Sequence, residues 1–528
     1  MPVVQITSVT GGHTVSSHVG ESGKFRASLG IDPAQPFDDS DSAYSTHSSG
    51  LIRPAASEKF SGTTINAAPL WMVPNPKDSY VYVCDSLGSM YTVNSTFDTV
   101  TGLSDAGHLS SGIGNGAAYY DNYIYIAKNT DIARYGPLNG VPSFNGTYWT
   151  TTLGLTALTN TTYPADLKNG LLYPNHVMVR HSDGALYIAD VVGNLGTVHK
   201  LQTTKTSVEG DTNDGSTYSA LTMGYGLWPT AMASYGDSLA IALYEGTSGG
   251  VRQERAKLAF WDTTSSATNK IVWVDYPDTL ITAMKSINGV LYLISGNVNS
   301  KGFRITKFLG GYSFDEVYYS ETGEPPLPGA VEGTLYRILV GSHTNVPESD
   351  GCVYSKGLQK SAFGTGFFNV MRATGGDSST NVTSVCIADN TELGFSVPII
   401  GWSKGSGTSN NGLDKQATAY NNAPSVFWSD NFLIGVPFNI EGIYIPLAQG
   451  VGSNMTLTAK IYIDEGATSY TYPVINNTNF PNGERNVYLK MDGVFGRHSF
   501  WLELRWTGSA LLTVSLPITI EFTPIQEQ

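Results

Sequence analysis

One short pattern recurs seven times along this chain and constrains its fold more than any other feature. Each copy places a turn residue before a short alternating apolar strand, as in "DSYVYVCD", "DNYIYIAK" and "DGALYIAD". The equivalent positions, 43 to 62 residues apart, are Tyr82, Tyr125, Tyr187, Ala240, Tyr292, Tyr336 and Phe395. Most copies follow another apolar strand, so the repeating unit is strand, tight turn, strand.

The length of this unit predicts how the copies are arranged. Repeats of roughly 40–50 residues, stretched by loop insertions, are typical of β-propeller blades, and leucine-rich and ankyrin repeats are shorter. The copies show no helical periodicity. Radial packing would also leave only short exposed sheet edges. We therefore predict an all-β fold with a β-propeller of six or seven blades. A pair of β-sandwiches with similar turns is the alternative interpretation.

Composition divides the rest of the chain around this repeat region. Residues 1–62 are polar and irregular and predict an extended N-terminal arm, and residues 63–404 hold the predicted propeller. Residues 405–422 are rich in Gly, Ser and Asn and predict a linker. Residues 423–528 contain about eight alternating strands, the pattern of an antiparallel, jelly-roll-like β-sandwich.

The alternation is clearest in one stretch of this C-terminal region, "FWLELRW". Because side chains alternate between the faces of a strand, one face is predicted to carry Phe500, Leu502, Leu504 and Trp506. The other face then carries Trp501, Glu503 and Arg505. The sequence thus predicts which face of this strand meets the core.

Charge and hydropathy exclude several classes of function. Charged residues make up 14% of the chain and the net charge is -14, with no basic cluster of the kind that grips a phosphate backbone. We therefore expect no direct nucleic-acid binding. No run approaches the roughly 18 apolar residues of a membrane-spanning helix. The N-terminal stretch lacks the basic start and apolar run of a secretory signal.

No residue pattern in the sequence assigns a metal or a cofactor. The three cysteines, Cys84, Cys352 and Cys386, lack paired ligand spacing and are interpreted as small buried apolar residues. The "GDTNDGS" stretch offers oxygen ligands, yet Thr222 stands where a calcium loop carries its distal Glu. His176 and His181 are five residues apart, which is not the spacing of a helical zinc site. We predict no metal, cofactor-binding or catalytic residues.

Catalytic motifs are also missing from the sequence. There is no nucleophile elbow before a helix and no phosphate loop ending in Lys-Ser or Lys-Thr. A propeller glycosidase needs two carboxylates across one bond, and no pair stands out among the acidic residues near blade strands, Asp190, Glu245, Asp262 and Asp275. Trp71, Trp228, Trp261 and Trp273 are expected to pack in the core, whereas Trp428 and Trp501 leave open a sugar-stacking role.

Two N-terminal stretches add a resemblance to a known group of proteins. "GKFRASLGIDP" (23–33) and "GLIRPAASEKFSG" (50–62) resemble the leader of uncharacterised tailed-bacteriophage virion proteins, and the following repeats resemble propeller-bearing tail proteins such as the nozzle class. The resemblance implies a structural, non-enzymatic protein of the virion tail, assembled in the host cytoplasm. Its expected partners are other virion proteins and copies of itself, with recognition of a host-surface glycan as a second role. The alternatives are a propeller glycosidase or lyase with a C-terminal carbohydrate-binding domain, and a cellular propeller scaffold.

Overall fold

Each of the seven sequence units forms the first hairpin of a separate antiparallel sheet in the computed structural model. The structure describes residues 2–7, 12–13, 24–29, 51–52, 56–103, 113–128, 131–153, 177–192, 195–201, 208–209, 220–248, 251–263, 271–297, 302–320, 325–334, 337–342, 352–357, 367–375, 379–390, 395–405, 407–417, 425–466, 468–507 and 512–525. The chain is all-β, with many antiparallel sheets.

The N-terminal region contributes six strands. They are β1 (Val3–Ile6), β2 (Gly12–His13), β3 (Lys24–Leu29), β4 (Leu51–Ile52), β5 (Ala56–Lys59) and β6 (Ser61–Gly62). The acidic, serine-rich stretch 38–50 lies outside the described residues.

Seven sheets, numbered 1 to 7 in chain order, follow. Sheet 1 contains β7 (Pro69–Pro74), β8 (Val81–Asp85), β9 (Met90–Val93) and β10 (Thr99–Gly102), and sheet 2 contains β11 (Ile113–Tyr120), β12 (Tyr123–Lys128), β13 (Ile132–Gly136) and β14 (Ser143–Asn145). Sheet 3 contains β15 (Met178–Arg180), β16 (Leu186–Val192), β17 (Leu195–Leu201), β18 (Val208–Glu209) and β19 (Leu221–Tyr225). Sheet 4 contains β20 (Leu227–Tyr235), β21 (Ser238–Ser248), β22 (Val251–Trp261) and β23 (Ile271–Tyr276). Sheet 5 contains β24 (Leu280–Ile287), β25 (Val290–Gly296), β26 (Phe303–Gly310) and β27 (Ser313–Ser320). Sheet 6 contains β28 (Val331–Gly333), β29 (Arg337–Gly341), β30 (Cys352–Gly357) and β31 (Phe367–Arg372). Sheet 7 contains β32 (Asn381–Asn390), β33 (Phe395–Ser403) and β34 (Asn411–Ala417).

The repeated pattern marks the second strand of each sheet. Tyr82, Tyr125, Tyr187, Ala240, Tyr292 and Phe395 lie on β8, β12, β16, β21, β25 and β33, and Tyr336 falls outside the described residues, directly before β29. These strands are largely buried because both faces of each sheet pack on neighbours. The seven short units of the sequence are therefore seven equivalent strands.

Apolar clusters lie between consecutive sheets. Tyr82 and Cys84 of sheet 1 pack with Ile124 of sheet 2, and Tyr187 of sheet 3 packs with Ile241 of sheet 4. Other clusters join sheets 2 and 3, sheets 4 and 5, sheets 5 and 6, and sheets 6 and 7. A further cluster joins sheet 7 to sheet 1, and the first strands β32 and β7 of these two sheets are in contact.

The predicted linker 405–422 is wrong for residues 411–417. These residues form β34, which pairs with β33 on one side and with β5 on the other, so its backbone hydrogen bonds are satisfied within sheet 7. Leu413 on this strand is buried. Composition did not indicate this strand because it has few apolar residues, and because its partner β5 lies far away in the sequence.

The C-terminal region forms two larger sheets over a common core. Its strands are β35 (Ser425–Ser429), β36 (Phe432–Leu433), β37 (Phe438–Pro446), β38 (Leu457–Ile463), β39 (Thr468–Thr471), β40 (Asn486–Gly496), β41 (Ser499–Trp506), β42 (Val514–Ser515) and β43 (Ile518–Pro524). Sheet 8 has the order β1-β43-β37-β40, and sheet 9 has the order β2-β3-β35-β41-β38-β39 with β36 also on β41. Phe500, Leu502, Leu504 and Trp506 join the core, which confirms the predicted face of β41.

The N-terminal strands are distributed among sheets from both regions. The strand β1 extends sheet 8, β3 extends sheet 9, β5 is the outer strand of sheet 7, β6 pairs with β10 of sheet 1, and β4 pairs with β42. Ile52 and Ser57 are buried. The described N-terminal strands are thus integral parts of the fold, and they differ in this respect from the exposed arm that composition predicts.

Candidate functional site

A pocket of about 480 Å³ lies where the first hairpin turns of sheets 1, 2 and 3 come together. The turns join β7 to β8, β11 to β12 and β15 to β16. The lining residues are Pro76, Lys77, Tyr119, Tyr120, Asp121, Asn122, Arg180 and Gly184. The volume falls within the ~300–1,000 Å³ of small-molecule sites in proteins.

The turn of sheet 2 is a two-residue hairpin that holds one wall of the pocket. Asp121 and Asn122 have φ values of 43° and 65°, a left-handed conformation that Asp and Asn adopt more readily than most residues. The backbone N–H of Leu138 donates to the carbonyl oxygen of Asn122 at 2.7 Å. The position of Asn122 is therefore fixed by the hairpin turn and by the hydrogen bond from Leu138.

The amide of Asn122 is oriented by two donors. Lys77 Nζ donates to Asn122 Oδ1, and the hydroxyl of Tyr119 donates to the same oxygen at 3.5 Å. Since both groups require an acceptor, the oxygen faces them and the NH₂ group faces away. That NH₂ group has no partner among the described residues, so it is available as a hydrogen-bond donor.

Tyr120 lines the pocket from beneath. Its side chain is 2% exposed, and its hydroxyl has no hydrogen-bond partner within the part of the chain that the structure describes. Burial raises the pKa of this phenol, the nearby Asp121 raises it further, and Arg180 opposes both. The hydroxyl oxygen itself is buried from solvent. A buried unpaired hydroxyl costs about 1–3 kcal/mol.

Arg180 supplies the second positive charge of the pocket. It ends β15 at the protein surface, and no ion pair or hydrogen bond of its guanidinium is found in the described ranges. The acidic residue of the turn that follows, Asp183, is already engaged: it accepts from the Tyr187 hydroxyl at 2.7 Å and pairs with Lys200 at 3.1 Å. Arg180 is therefore not neutralised by that carboxylate.

The arrangement is suited to binding a polar ligand. Two cationic groups, an amide donor, a buried hydroxyl and a carboxylate surround a space that is also bounded by tyrosine rings and a proline. Such a mixture of aromatic and convergent polar groups is typical of a ligand site.

The acidic residues considered from sequence lie away from the pocket. Asp190 is buried, with a carboxylate oxygen 3.5 Å from Nε2 of His199, and Glu245 pairs with Lys257 at 3.1 Å. Asp275 lies on the outer strand β23, opposite Lys257, and Asp262 directly follows β22. None of these four residues lines the pocket.

The cysteine and histidine predictions have clear structural counterparts. Cys84 and Cys386 are free and buried, and burial raises the pKa of both thiols well above the ordinary range. Nδ1 of His181 is 2.8 Å from the Ser234 hydroxyl, a local hydrogen bond. The "GDTNDGS" loop, His176 and the side chain of Cys352 lie outside the described residues. Within the described residues no group of three or more His, Cys, Asp or Glu side chains could hold a metal.

The tryptophans divide between core and surface. Trp228 and Trp261 are buried as expected, whereas Trp273 is 38% exposed on β23, the outer strand of sheet 4. Trp501 stacks on Tyr462 with ring centroids 3.8 Å apart. Trp428 Nε1 donates to Glu503 at 2.9 Å. Both sandwich-region tryptophans thus contribute to an internal network.

Sequence reasoning missed the pocket, because its residues belong to three turns between Pro76 and Gly184 and show no shared motif. The only local signal is the Asp-Asn pair of a tight turn, which marks a hairpin and not a ligand site.

In the described part of the chain no helix has the length and apolar character needed to cross a bilayer.

Comparison with known proteins gives little further information. No protein-family model and no curated protein matches the chain. Among solved structures it is similar to the computationally designed Ika8 protein, with 11% identity over 71% of this chain and 97% of that chain and a TM-score of 0.35. It is also similar to Raptor from Chaetomium thermophilum, with 9% identity over 70% of this chain and 29% of that chain and a TM-score of 0.43. At these scores neither similarity carries an argument about function.

Proposed function

We propose that sheets 1 to 7 form a seven-bladed β-propeller and that sheets 8 and 9 form a β-sandwich. The propeller is supported by the cluster between every consecutive pair of sheets and by the cluster that joins sheet 7 to sheet 1. The strand β5 would close the ring, because it supplies the outer strand of the last blade from the start of the chain. The sandwich is supported by the apolar core that sheets 8 and 9 share.

We further propose that the chain is a structural protein of a tailed-phage virion, acting by assembly in the tail. The observation that carries this proposal is the distribution of the N-terminal strands, which pair with sheets 1, 7, 8 and 9. Two domains joined by a simple linker move relative to each other by default. Here one apolar cluster contains buried residues of sheets 6 and 7 together with residues of sheets 8 and 9, so such motion would expose apolar surface, and the molecule is suited to holding partners at fixed positions.

The arrangement of acidic residues favours assembly over glycoside hydrolysis. A hydrolase needs a protonatable acid and a second carboxylate that face one ligand space. Asp190 contacts His199 and Glu245 pairs with Lys257. The pocket at the turns of sheets 1, 2 and 3 presents two cations, an amide and a single carboxylate, Asp121. Partners would instead bind the loops and sheet edges that a rigid scaffold presents.

Purified particles test the proposal. Virions of the phage that encodes the chain are expected to contain it at a fixed copy number by quantitative mass spectrometry, and cryo-electron microscopy is expected to locate it in the tail. Its absence from washed, infectious particles would refute the assignment. Hydrolysis of host-surface polysaccharide that disappears on Asp190→Asn or Glu245→Gln substitution would favour the enzyme instead.

A further inference from the structure

We propose that the pocket between the first turns of sheets 1, 2 and 3 binds an acidic saccharide, with its carboxylate at Arg180 and Lys77 and its hydroxyls at Asn122 and Asp121. This is a binding site in the propeller region, separate from the sandwich, where the sequence leads us to expect glycan recognition. It is independent of whether the chain belongs to a virion.

Arg180 and Lys77 would bind the carboxylate of the saccharide. Arg180 has no ion-pair partner among the described residues, and the neighbouring Asp183 is already paired with Lys200 at 3.1 Å. A guanidinium presents planar donors that match a carboxylate in a two-point contact. Lys77, on the opposite turn, contributes a point charge whose position is set by Asn122.

The remaining polar groups select a ligand that carries hydroxyls. The NH₂ group of Asn122 is a donor, whereas the carboxylate of Asp121 is an acceptor that lies at an exposed position of the lining. Neighbouring donors and acceptors match vicinal hydroxyls, which both donate and accept. A phosphate group has no comparable donors and carries more negative charge, so Asp121 would repel it. The pocket therefore favours a saccharide over a simple anion.

The aromatic groups provide the surface for the sugar ring. Tyr119 is half-buried in the lining and Pro76 is exposed opposite it. The hydroxyl oxygen of Tyr120 is buried from solvent, so this residue adds to the wall of the pocket and makes no hydrogen bond to the ligand.

The test measures binding of two acidic sugars to the full-length chain by isothermal titration calorimetry and saturation-transfer NMR. D-glucuronic acid and N-acetylneuraminic acid are the probes. D-glucose, which carries a hydroxymethyl group where glucuronic acid has its carboxylate, and inorganic phosphate are the controls. We expect at least one acidic sugar to bind at least tenfold more tightly than glucose and phosphate, with an affinity that falls as salt rises.

Matched variants locate the contact. Arg180→Gln is expected to weaken binding by roughly 10- to 100-fold, because it removes a charge-assisted hydrogen bond. Lys128→Gln removes a positive charge at the end of β12 far from the turn, outside the pocket, and is expected to change affinity less than about twofold. Tyr120→Phe and Tyr125→Phe each delete a hydroxyl that is buried from solvent, so both variants are expected to leave affinity unchanged.

Several outcomes would overturn the proposal. Failure of both acidic sugars to bind, or glucose binding as tightly, would remove carboxylate recognition. Phosphate binding as tightly would indicate a general anion site. Equal losses in the Arg180 and Lys128 variants would show an effect of overall charge. Circular dichroism and thermal unfolding of each variant separate these results from misfolding, and Tyr120→Phe is not expected to unfold the chain because it deletes an unpaired group.

Discussion

Asp414 lies in the interior of sheet 7 and gives the sharpest quantitative prediction. Its side chain is completely buried on β34, opposite Lys59 of β5. The backbone N–H of Thr374 donates to one carboxylate oxygen at 2.6 Å and the Thr374 hydroxyl donates to the other at 2.8 Å. The carboxylate therefore connects the end of sheet 6 with the strand pair that includes the N-terminal region.

Burial raises the pKa of Asp414 from 3.8 to about 6, although the Thr374 hydrogen bonds and Lys59 act in the opposite direction. Each pH unit of difference between folded and unfolded pKa is worth about 1.4 kcal/mol, so the ionised form costs about 3 kcal/mol of folding free energy. Because the folded-state pKa is the higher one, this cost is absent below about pH 4, grows as pH rises and is complete above about pH 6.

The experiment compares wild type with Asp414→Asn by urea unfolding from about pH 4 to about pH 7.5. Taking the difference in unfolding free energy between the two proteins at each pH cancels the contributions of most other titrating groups. We expect wild type to lose stability relative to the variant by about 3 kcal/mol across this range. The loss of one acceptor for Thr374 adds a constant cost to the variant. Asp389→Asn, an exposed position on β32 of the same sheet, is the control for removing a carboxylate.

A stability difference that stays constant with pH would refute this reasoning. It would mean that Asp414 ionises as readily in the folded chain as in the unfolded one. A difference that moves in the opposite direction would mean that its hydrogen bonds outweigh burial. Coincident unfolding curves by fluorescence and circular dichroism establish that one transition is being compared.

Three further predictions follow from packing. Gly329→Ala should lower the free energy of unfolding by about 1–3 kcal/mol in urea, because the added Cβ would lie 2.1 Å from the carbonyl oxygen of Leu70. Gly140→Ala is the control and should be close to neutral, because its nearest neighbour would lie 3.5 Å away. Cys84 and Cys386 should resist alkylation in the native protein and react in denaturant, as located by mass spectrometry, because their thiols are buried. Glu503→Gln should lower the melting temperature, because the buried carboxylate accepts from two aromatic side chains and pairs with an arginine.

The strands of the repeat could be predicted from sequence because their signal is local. A turn residue followed by alternating apolar residues specifies a hairpin within a few positions, and six of the seven marked residues lie on the expected strands. The face of β41 that carries Leu502 was predictable for the same reason. The strand Asn411–Ala417 was not, since its partner Ala56–Lys59 lies far away in the chain and its own residues are mostly polar.

The pocket could not be predicted from sequence because its parts have no common local pattern. Lys77, Asn122 and Arg180 belong to three separate hairpins, and each one reads as an ordinary surface residue of a turn. Only the packing of three sheets side by side brings the two cations near one amide and the buried hydroxyl of Tyr120.

By itself, the sequence determined that this chain is all-β, where its hairpins begin, and which side chains face the core of its clearest strands, because alternation and turn chemistry act over a few residues. The tertiary structure alone decided that the N-terminal strands complete sheets in both regions and that turns from three sheets enclose one pocket. Those features depend on contacts between residues far apart in sequence, and such contacts are selected by the packing of whole sheets and not by any short stretch of the chain.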